Sequence, residues 1–477
     1  MSAAALVTVQ VVTIVQTLVL ARLLSPVEVG LFAAGTVLTM FLATFAEGAL
    51  TQALIQRGDD GLDDAADTVF WATIATGALM SLAALAAAPL VGAVFGDAVA
   101  GAVAAVSAGT MIMHSFTNVP DALMQRRFDF RRRLIIDPAT SLTFAVVAVV
   151  FAASGFGVWS LVIGSYAQMA VWVTASWALA GWRPGKGRPS LRLWREMARF
   201  AFPMLLGSVV ERVRDIAELV LVGRVLDTAA LGQYRYGRRI AVLPGALVVQ
   251  AGGFVLFPAF SRISNDPRRL KAAFLRAITW IWFAAVPVAG LLVASGEAIA
   301  VLLLGERWRG AGIALTAMAG FGLGQALSAV TAEAIKGSGR SRRLNWMTAV
   351  GLVSGLGLLL PLVRFGLFGV GLAMSGAALS VGVVGLWLVR GVVGVTAGEL
   401  TRRLLPPTVA GVLAVGVVTV AERLWLHADQ HPTATGLALV VGEAIVLGVV
   451  YVGALRLIAP DMGQEVMRMA HRVVHRG

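Results

Sequence analysis

The chain has 477 residues, 58% of them hydrophobic and only 14% charged, with a mean hydropathy of +0.83. Average soluble domains are about 45–50% apolar and about 25% charged, so the composition excludes an ordinary water-soluble globule and reads as an all-α polytopic membrane protein. There is no cysteine, which excludes a disulfide framework, a thiol nucleophile and cysteine-ligated zinc or iron–sulfur sites.

A bilayer core of about 30 Å needs about 20 mostly apolar residues as helix, because backbone groups left unpaired in lipid cost several kcal/mol each. About fourteen runs meet that need, in order 3–24, 29–55, 68–94, 98–120, 134–153, 157–181, 200–225, 238–261, 272–294, 311–335, 344–363, 367–390, 404–421 and 434–458. The first is too long for a cleavable signal peptide, lacks a basic leader and leads straight into another span, so it is expected to stay. The longest polar interval, Trp182 to Arg199, is basic and carries an apolar stripe at Leu191, Trp194 and Met197 or Ala198. It is expected to be an amphipathic linker on the cytoplasmic membrane surface.

The net charge of +13 would suggest nucleic acid in a soluble chain. Here 28 of the 39 basic residues fall in the gaps after even-numbered runs and in the C-terminal tail. Basic loops stay cytoplasmic, so the bias puts both termini and the even gaps in the cytoplasm and needs no nucleic-acid partner. Only the gap after the second run resists, with Asp59, Asp60, Asp63, Asp64 and Asp67 against Arg57.

The chain also repeats itself. Ala21-Arg22-Leu23-Leu24-Ser25-Pro26-Val27-Glu28-Val29-Gly30 returns 202 residues later as Gly223-Arg224-Val225-Leu226-Asp227-Thr228-Ala229-Ala230-Leu231-Gly232. Phe156-Gly157-Val158 returns as Phe368-Gly369-Val370, and Gly48…Arg57 as Gly253…Arg262. Six spans per copy is an even number, so the copies enter the membrane in the same orientation, an arrangement of alternating-access transporters. The expected organisation is a six-helix bundle over 1–181, the linker over 182–199 and a parallel-related bundle over 200–391 around a central cavity. Two extra helices and a basic tail follow over 392–477.

These residues resemble a known family. Leu20 to Pro26, Gly30-Leu31-Phe32, Ala46-Glu47-Gly48 and Ala53 to Arg57 are similar to the opening of Wzx-type polysaccharide flippases, within the multidrug/oligosaccharidyl-lipid/polysaccharide exporter superfamily. Phe200 to Pro203, Gly223-Arg224, Gly232-Gln233-Tyr234, Pro244, Phe257 to Arg262 and Leu304 to Trp308 fit the same pattern. The resemblance covers about residues 10–410. It implies translocation of a polyprenyl-diphosphate-linked oligosaccharide to the outer leaflet for exopolysaccharide, capsule or envelope synthesis. The implied partners are that substrate, membrane lipids and polymerase or export machinery. Two departures stand out: the chain starts almost directly in its first span, and the seventh span carries more charge than the family's Asn/Ser-rich version.

Ionisable groups inside spans cost at least about 2.5–3.5 kcal/mol and usually face a cavity or a partner. The seventh run holds Glu211, Arg212, Arg214, Asp215 and Glu218, of which Glu211, Arg214, Asp215 and Glu218 share one helical face. Such a face lines a hydrated cavity, where arginines take a diphosphate and carboxylates take sugar hydroxyls or an ion, or else it pairs internally. Resemblance sharpens Glu218, six residues before Arg224 where the family commonly has an acidic residue, and Arg239 as the family's basic position before its Leu-Pro; Arg224 is counted with the cavity residues. Arginine's planar fork suits a diphosphate. Arg235, Arg238 and Arg239 could equally be interface anchors. Glu47 stands isolated in an apolar stretch and resembles the family's acidic residue at the end of the second span, a candidate for a coupling cation, sodium ion or proton, or else a capped carboxylate. No other cofactor is implied. Glu443, in the last run, lies outside the repeat and is given no role.

Gly185-Lys186-Gly187 is a near miss for a phosphate-binding loop, without the upstream Gly, the following Ser or Thr, or a preceding strand. His471 and His475 have a spacing of four but sit in a basic tail. Two further readings stay open: a multidrug or cation antiporter of a sister branch, which should lack an Arg-rich face, and a membrane glycosyltransferase or polymer ligase, which would need a sizeable outer loop. Rocking of the two bundles about the cavity, with bending near Pro244 to Gly253, is the expected mechanism.

Overall fold

The computed structural model describes residues 3–46, 49–58, 60–127 and 130–461. Among them the chain is α-helical, with short 3-10 and π turns and no strand. Every one of the fourteen apolar runs is occupied by helix. In the first half these are α1 (Ala3–Leu23), α2 (Pro26–Ala46) continued by α3 (Ala49–Gln56), α4 (Leu62–Phe95) and α5 (Ala98–Ser107) with α6 (Gly109–Ser115). After α7 (Asn118–Arg126) come α8 (Phe130–Ala153), α9 (Val158–Ala180), α10 (Leu191–Val225) and α11 (Thr228–Arg262). The second half holds α12 (Pro267–Leu304), α13 (Arg309–Ala317) with α14 (Ala319–Gly337), α15 (Leu344–Leu362), α16 (Gly366–Val393), α17 (Ala397–Ala421) and α18 (Thr433–Ile458).

Nine helical segments among the described residues are long and apolar enough to cross a bilayer, or ten if the pair Glu306–Ala317 and Ala319–Gly337, bent by 43°, is one span. The chain is thus a multi-pass membrane protein, and the expected count of fourteen spans stands above what length and apolarity support. The shortfall has physical causes. α10 is diluted by charge, the apolar part of α1, Val9–Leu23, is too short to count, and α15 and α16 merge across a 3-10 turn into one apolar stretch, Ser341–Val393.

The contacts divide the chain into two compact units, Met1–Gly232 and Gln233–Gly477. In the first, α1 lies on α8, α8 on α9, and α2 on α4 and α5, while α10 packs on α2, α3 and α4. In the second, α16 packs on α14 and α15, and α12 is a pillar touching α13, α14, α17 and α18. The helices expected as an appendage, α17 and α18, share α12's core: Ala410, Ala414, Val418, Leu447 and Tyr451 belong to the cluster that holds Trp282 and Val286.

The expected linker over 182–199 differs in the structure. Residues 191–199 are the first turns of the 35-residue α10, since no Gly or Pro stands between Leu191 and Phe202 to stop the helix. Trp182 and Met197 are buried among Leu54, Phe70, Val119 and Leu123, which ties the segment to the first unit. Only Leu191 and Trp194 of the stripe are exposed.

The repeat has a structural counterpart. Ser25 starts α2 with a capping box: its hydroxyl accepts from the Glu28 N–H at 3.3 Å and its own N–H donates to the Glu28 carboxylate at 2.7 Å. Its partner 202 residues on, Asp227, accepts from the Ala230 N–H at 2.6 Å at the start of α11. The repeated glycines then meet. A Cβ on Gly30 would overlap the Thr228 carbonyl oxygen and lie 3.1 Å from the Gly232 nitrogen. A Cβ on Gly232 would overlap the Pro26 carbonyl oxygen and lie 3.0 Å from the Gly30 nitrogen. The contact is reciprocal, each glycine meeting the backbone at the start of the other's helix.

Basic loop residues do structural work at helix ends. Arg127 donates to the Ala180 carbonyl at 3.1 Å and Arg132 to that of Leu179, in the last turn of α9. Arg340 donates to the Gly391 carbonyl at 2.8 Å and Arg343 to that of Leu388 at 3.1 Å, near the end of α16. Cations at a helix C-terminus satisfy unpaired carbonyls and complement the dipole. The two pairs of arginines stand about one repeat apart, on repeat-related helices.

Candidate functional site

α10 carries the densest group of ionisable side chains within any apolar run. Arg212, Arg214, Asp215 and Glu218 fall on two turns in its middle, with apolar residues on both sides. The helix persists there because neither arginine nor glutamate resists helical geometry, and because its other faces pack on α2, α3 and α4. Arg212, Arg214 and Asp215 are half-buried. Glu218 is 3% exposed.

One ion pair in this segment joins sequence neighbours: the Arg214 guanidinium lies 3.4 Å from the Asp215 carboxylate, with side-chain exposures of 40% and 28%. A long, partly exposed contact of this kind is weak. Glu47 lies outside the described residues, as does the side chain of Glu211. Arg224 sits exposed in the last turn of α10, where the helix dipole favours a cation.

Arg239 belongs to α11 in the second unit, half-buried, in the mutual field of Arg235 and Tyr236. Tyr236 stacks on Trp308, ring centroids 4.4 Å apart at 27°, and Trp308 is fully buried. Gln233 completes this corner: its amide donates to the Arg307 carbonyl at 2.7 Å and accepts from the Ala311 N–H at 2.7 Å. The motif residues Gly232-Gln233-Tyr234 and Leu304 to Trp308 therefore build a scaffold that fixes the start of α11.

The acidic block that resisted the charge rule has a structural role. Asp67, buried at the start of α4, accepts from the Gly185 N–H at 2.9 Å and the Gly187 N–H at 2.8 Å. Asp64 accepts from the Arg188 N–H at 2.7 Å, and Thr68 from the Ser190 N–H at 3.0 Å. Successive glycine amides form an anion-binding concavity, and here it is filled by the chain's own carboxylate.

A family model described as "Polysaccharide biosynthesis protein" matches residues 19–312. The chain is similar to the succinoglycan biosynthesis transport protein ExoT of Rhizobium meliloti (strain 1021), 27% identical over 290 residues, which is 61% of this chain and 58% of that protein. It is also similar to the lipopolysaccharide biosynthesis protein WzxC of Escherichia coli (strain K12), 23% identical over 299 residues, 62% and 60% of the two chains. The teichuronic acid biosynthesis protein TuaB of Bacillus subtilis (strain 168) is 21% identical over 434 residues, 88% of each. The chain thus spans less than two thirds of the length of the first two. Among solved structures, the lipid II flippase MurJ in an inward closed conformation aligns with a TM-score of 0.77 at 14% identity, covering 96% of this chain and 98% of that one. An inward-facing multidrug resistance MATE family transporter of the MOP superfamily aligns with 0.63 at 17% identity, covering 81% and 94%. The fold is the one these transporters share.

Proposed function

Because this chain belongs to the polysaccharide biosynthesis protein family, we propose that it is a flippase that carries a polyprenyl-diphosphate-linked oligosaccharide across the bacterial cytoplasmic membrane. The product would feed exopolysaccharide, capsule or envelope synthesis and pass to polymerase or export machinery, and both termini would face the cytoplasm. The observation that carries this reading is the half-buried, mixed-charge segment Arg212–Glu218 in the middle of α10. A diphosphate needs forked cationic donors and a sugar chain needs acceptors as well as donors, and this segment offers both within two turns.

Arg212 and Arg214, with Arg224 and Arg239, are assigned to the diphosphate; Asp215, Glu218 and Glu211 to the sugar hydroxyls. The polyprenyl tail stays in lipid, so only the head group has to leave water. Rocking of two six-helix bundles about a central cavity exposes that segment to one side and then the other. A sodium ion or proton drives the cycle, with Glu47 as its candidate site. The reading requires no covalent chemistry.

The test is transfer of a fluorescent polyprenyl-diphosphate saccharide in proteoliposomes, read by its accessibility to an impermeant quencher with and without ion gradients. Transfer by the wild-type chain, lost in Arg214→Ala and Arg239→Ala variants that insert normally, is the expected result. Full transfer by both variants would overturn the diphosphate role. Absence of transfer together with efflux of a cationic dye would give the protein to the antiporter class.

A further inference from the structure

In the second unit, Glu422 and Glu443 are buried, and no ion pair to a cation is found for either among the described residues. After Ala421 the last turn of α17 widens into a five-residue π-helical turn, Glu422–Leu426, and His427 follows with φ 44, the one non-glycine positive φ among the described residues. π-turns cost helical regularity and concentrate at functional sites. This one carries Glu422 inward, 8% exposed, to within hydrogen-bonding reach of Glu443 on α18, which is 3% exposed.

The surroundings define what the pair lacks. α12, α17 and α18 pack in apolar layers, with Val415 and Leu447 against Gly290, and Val286 and Tyr451 against Gly411. Beyond the pair a second apolar cluster forms from Ala298, Leu302, Ala428 and Val440. Between these clusters the Ser295 hydroxyl donates to Oε2 of Glu443, and the Ala428 N–H donates to both oxygens of Glu422, at 3.1 and 3.3 Å. Oε1 of Glu443 has no donor among the described residues. The groups that act on Glu422 are Glu443, the Ala428 N–H and Asp429, and none is a cation. Asp429 is itself taken by Arg309 at 2.7 Å, and Arg309 also holds Glu306 and Glu297.

Two carboxylates in contact in an apolar layer cannot both stay ionised. A metal cage would need more ligands than are present: the described residues gather no group of three or more His, Asp or Glu. We propose that Glu422 and Glu443 form a proton-binding site, one proton shared between the two carboxyls and donated to Oε1 of Glu443, which clasps α18 to the end of α17 and to α12. Loss of the proton leaves two adjacent anions and opens the clasp. The site is independent of the flippase reading and of Glu47.

The test uses the full chain in lipid nanodiscs and infrared detection of the protonated carboxyl C=O stretch, assigned by its shift in deuterium oxide. The expected result is one protonated carboxyl per chain at neutral pH, absent from both Glu422→Gln and Glu443→Gln. Loss in only one of the two variants would show a single protonated residue and overturn the sharing. Absence of the band in the wild-type chain at neutral pH, or its removal by sodium at fixed pH, would overturn the proton site. Where a glutamine variant does not fold, Ser295→Ala supplies the check. It removes the hydroxyl donor to Glu443, so the carboxyl band should shift in frequency; an unchanged band would overturn the assignment.

Discussion

α1 and α10 are the same element of the repeat, and they differ where it matters. An offset of 202 aligns Arg22 with Arg224, and it aligns Arg212, Arg214, Asp215 and Glu218 with Gln10, Val12, Thr13 and Gln16. Below them the shared scaffold is kept: an N-cap at Ser25 or Asp227, and a glycine at 30 or 232 that meets its counterpart. The pair teaches that the repeat preserves how a helix starts and where two backbones cross, while the middle of each helix is free to diverge. One copy stays neutral there, and the other carries the charge.

That contrast can be broken first at the shared scaffold. Gly30→Leu and Gly232→Leu each drive a side chain into a backbone carbonyl that no rotamer can move. Both should cost about 3 kcal/mol or more, the upper end of overpacking penalties, and to a similar extent. Thermal midpoints of the purified variants check this, and a large difference between the two would deny the reciprocal crossing.

The divergent middle is tested by making α10 resemble α1. The combined variant Arg212→Gln, Arg214→Val, Asp215→Thr and Glu218→Gln should fold and insert, since it lightens an expensive span. Its transfer of a diphosphate lipid should fall at least about tenfold, equivalent to about 1.4 kcal/mol. Retained transfer would show that the charge is a passive difference between the copies.

Smaller effects separate the two caps. Ser25→Ala removes a cap and one half of a capping box, Asp227→Ala a cap alone, so losses of about 1 kcal/mol each are expected, somewhat larger at Ser25. The smallest effect should come from Arg127→Gln and Arg340→Gln, which leave helix-end carbonyls to water, at about 0.3–1 kcal/mol each. Chemical-denaturation midpoints in detergent rank the four. Equal effects of cap and arginine variants would remove the distinction between starting a helix and finishing one.

The helices were legible in the sequence because their signals are local. Apolar runs, a Ser-Pro-x-Glu start and a six-span repeat all act within one or two turns or recur in plain view. The charged segment of α10 was visible for the same reason. Its contact between sequence neighbours, Arg214 with Asp215 at 3.4 Å, is one that helical spacing does not single out. The linker misled because helix propensity gives no stop signal between Leu191 and Phe202.

By itself, then, the amino-acid order determined the class of the protein, the placement of its apolar helices and the charged stretch of α10. These depend on composition and short-range periodicity, which survive without knowledge of neighbours. Tertiary structure alone decided that Asp67 fills the glycine loop at 185–187, that Gly30 and Gly232 touch, and that Glu422 and Glu443 face each other across an apolar layer. Each joins residues from different helices, and what a carboxylate does depends on which donor or acid the packing brings to it.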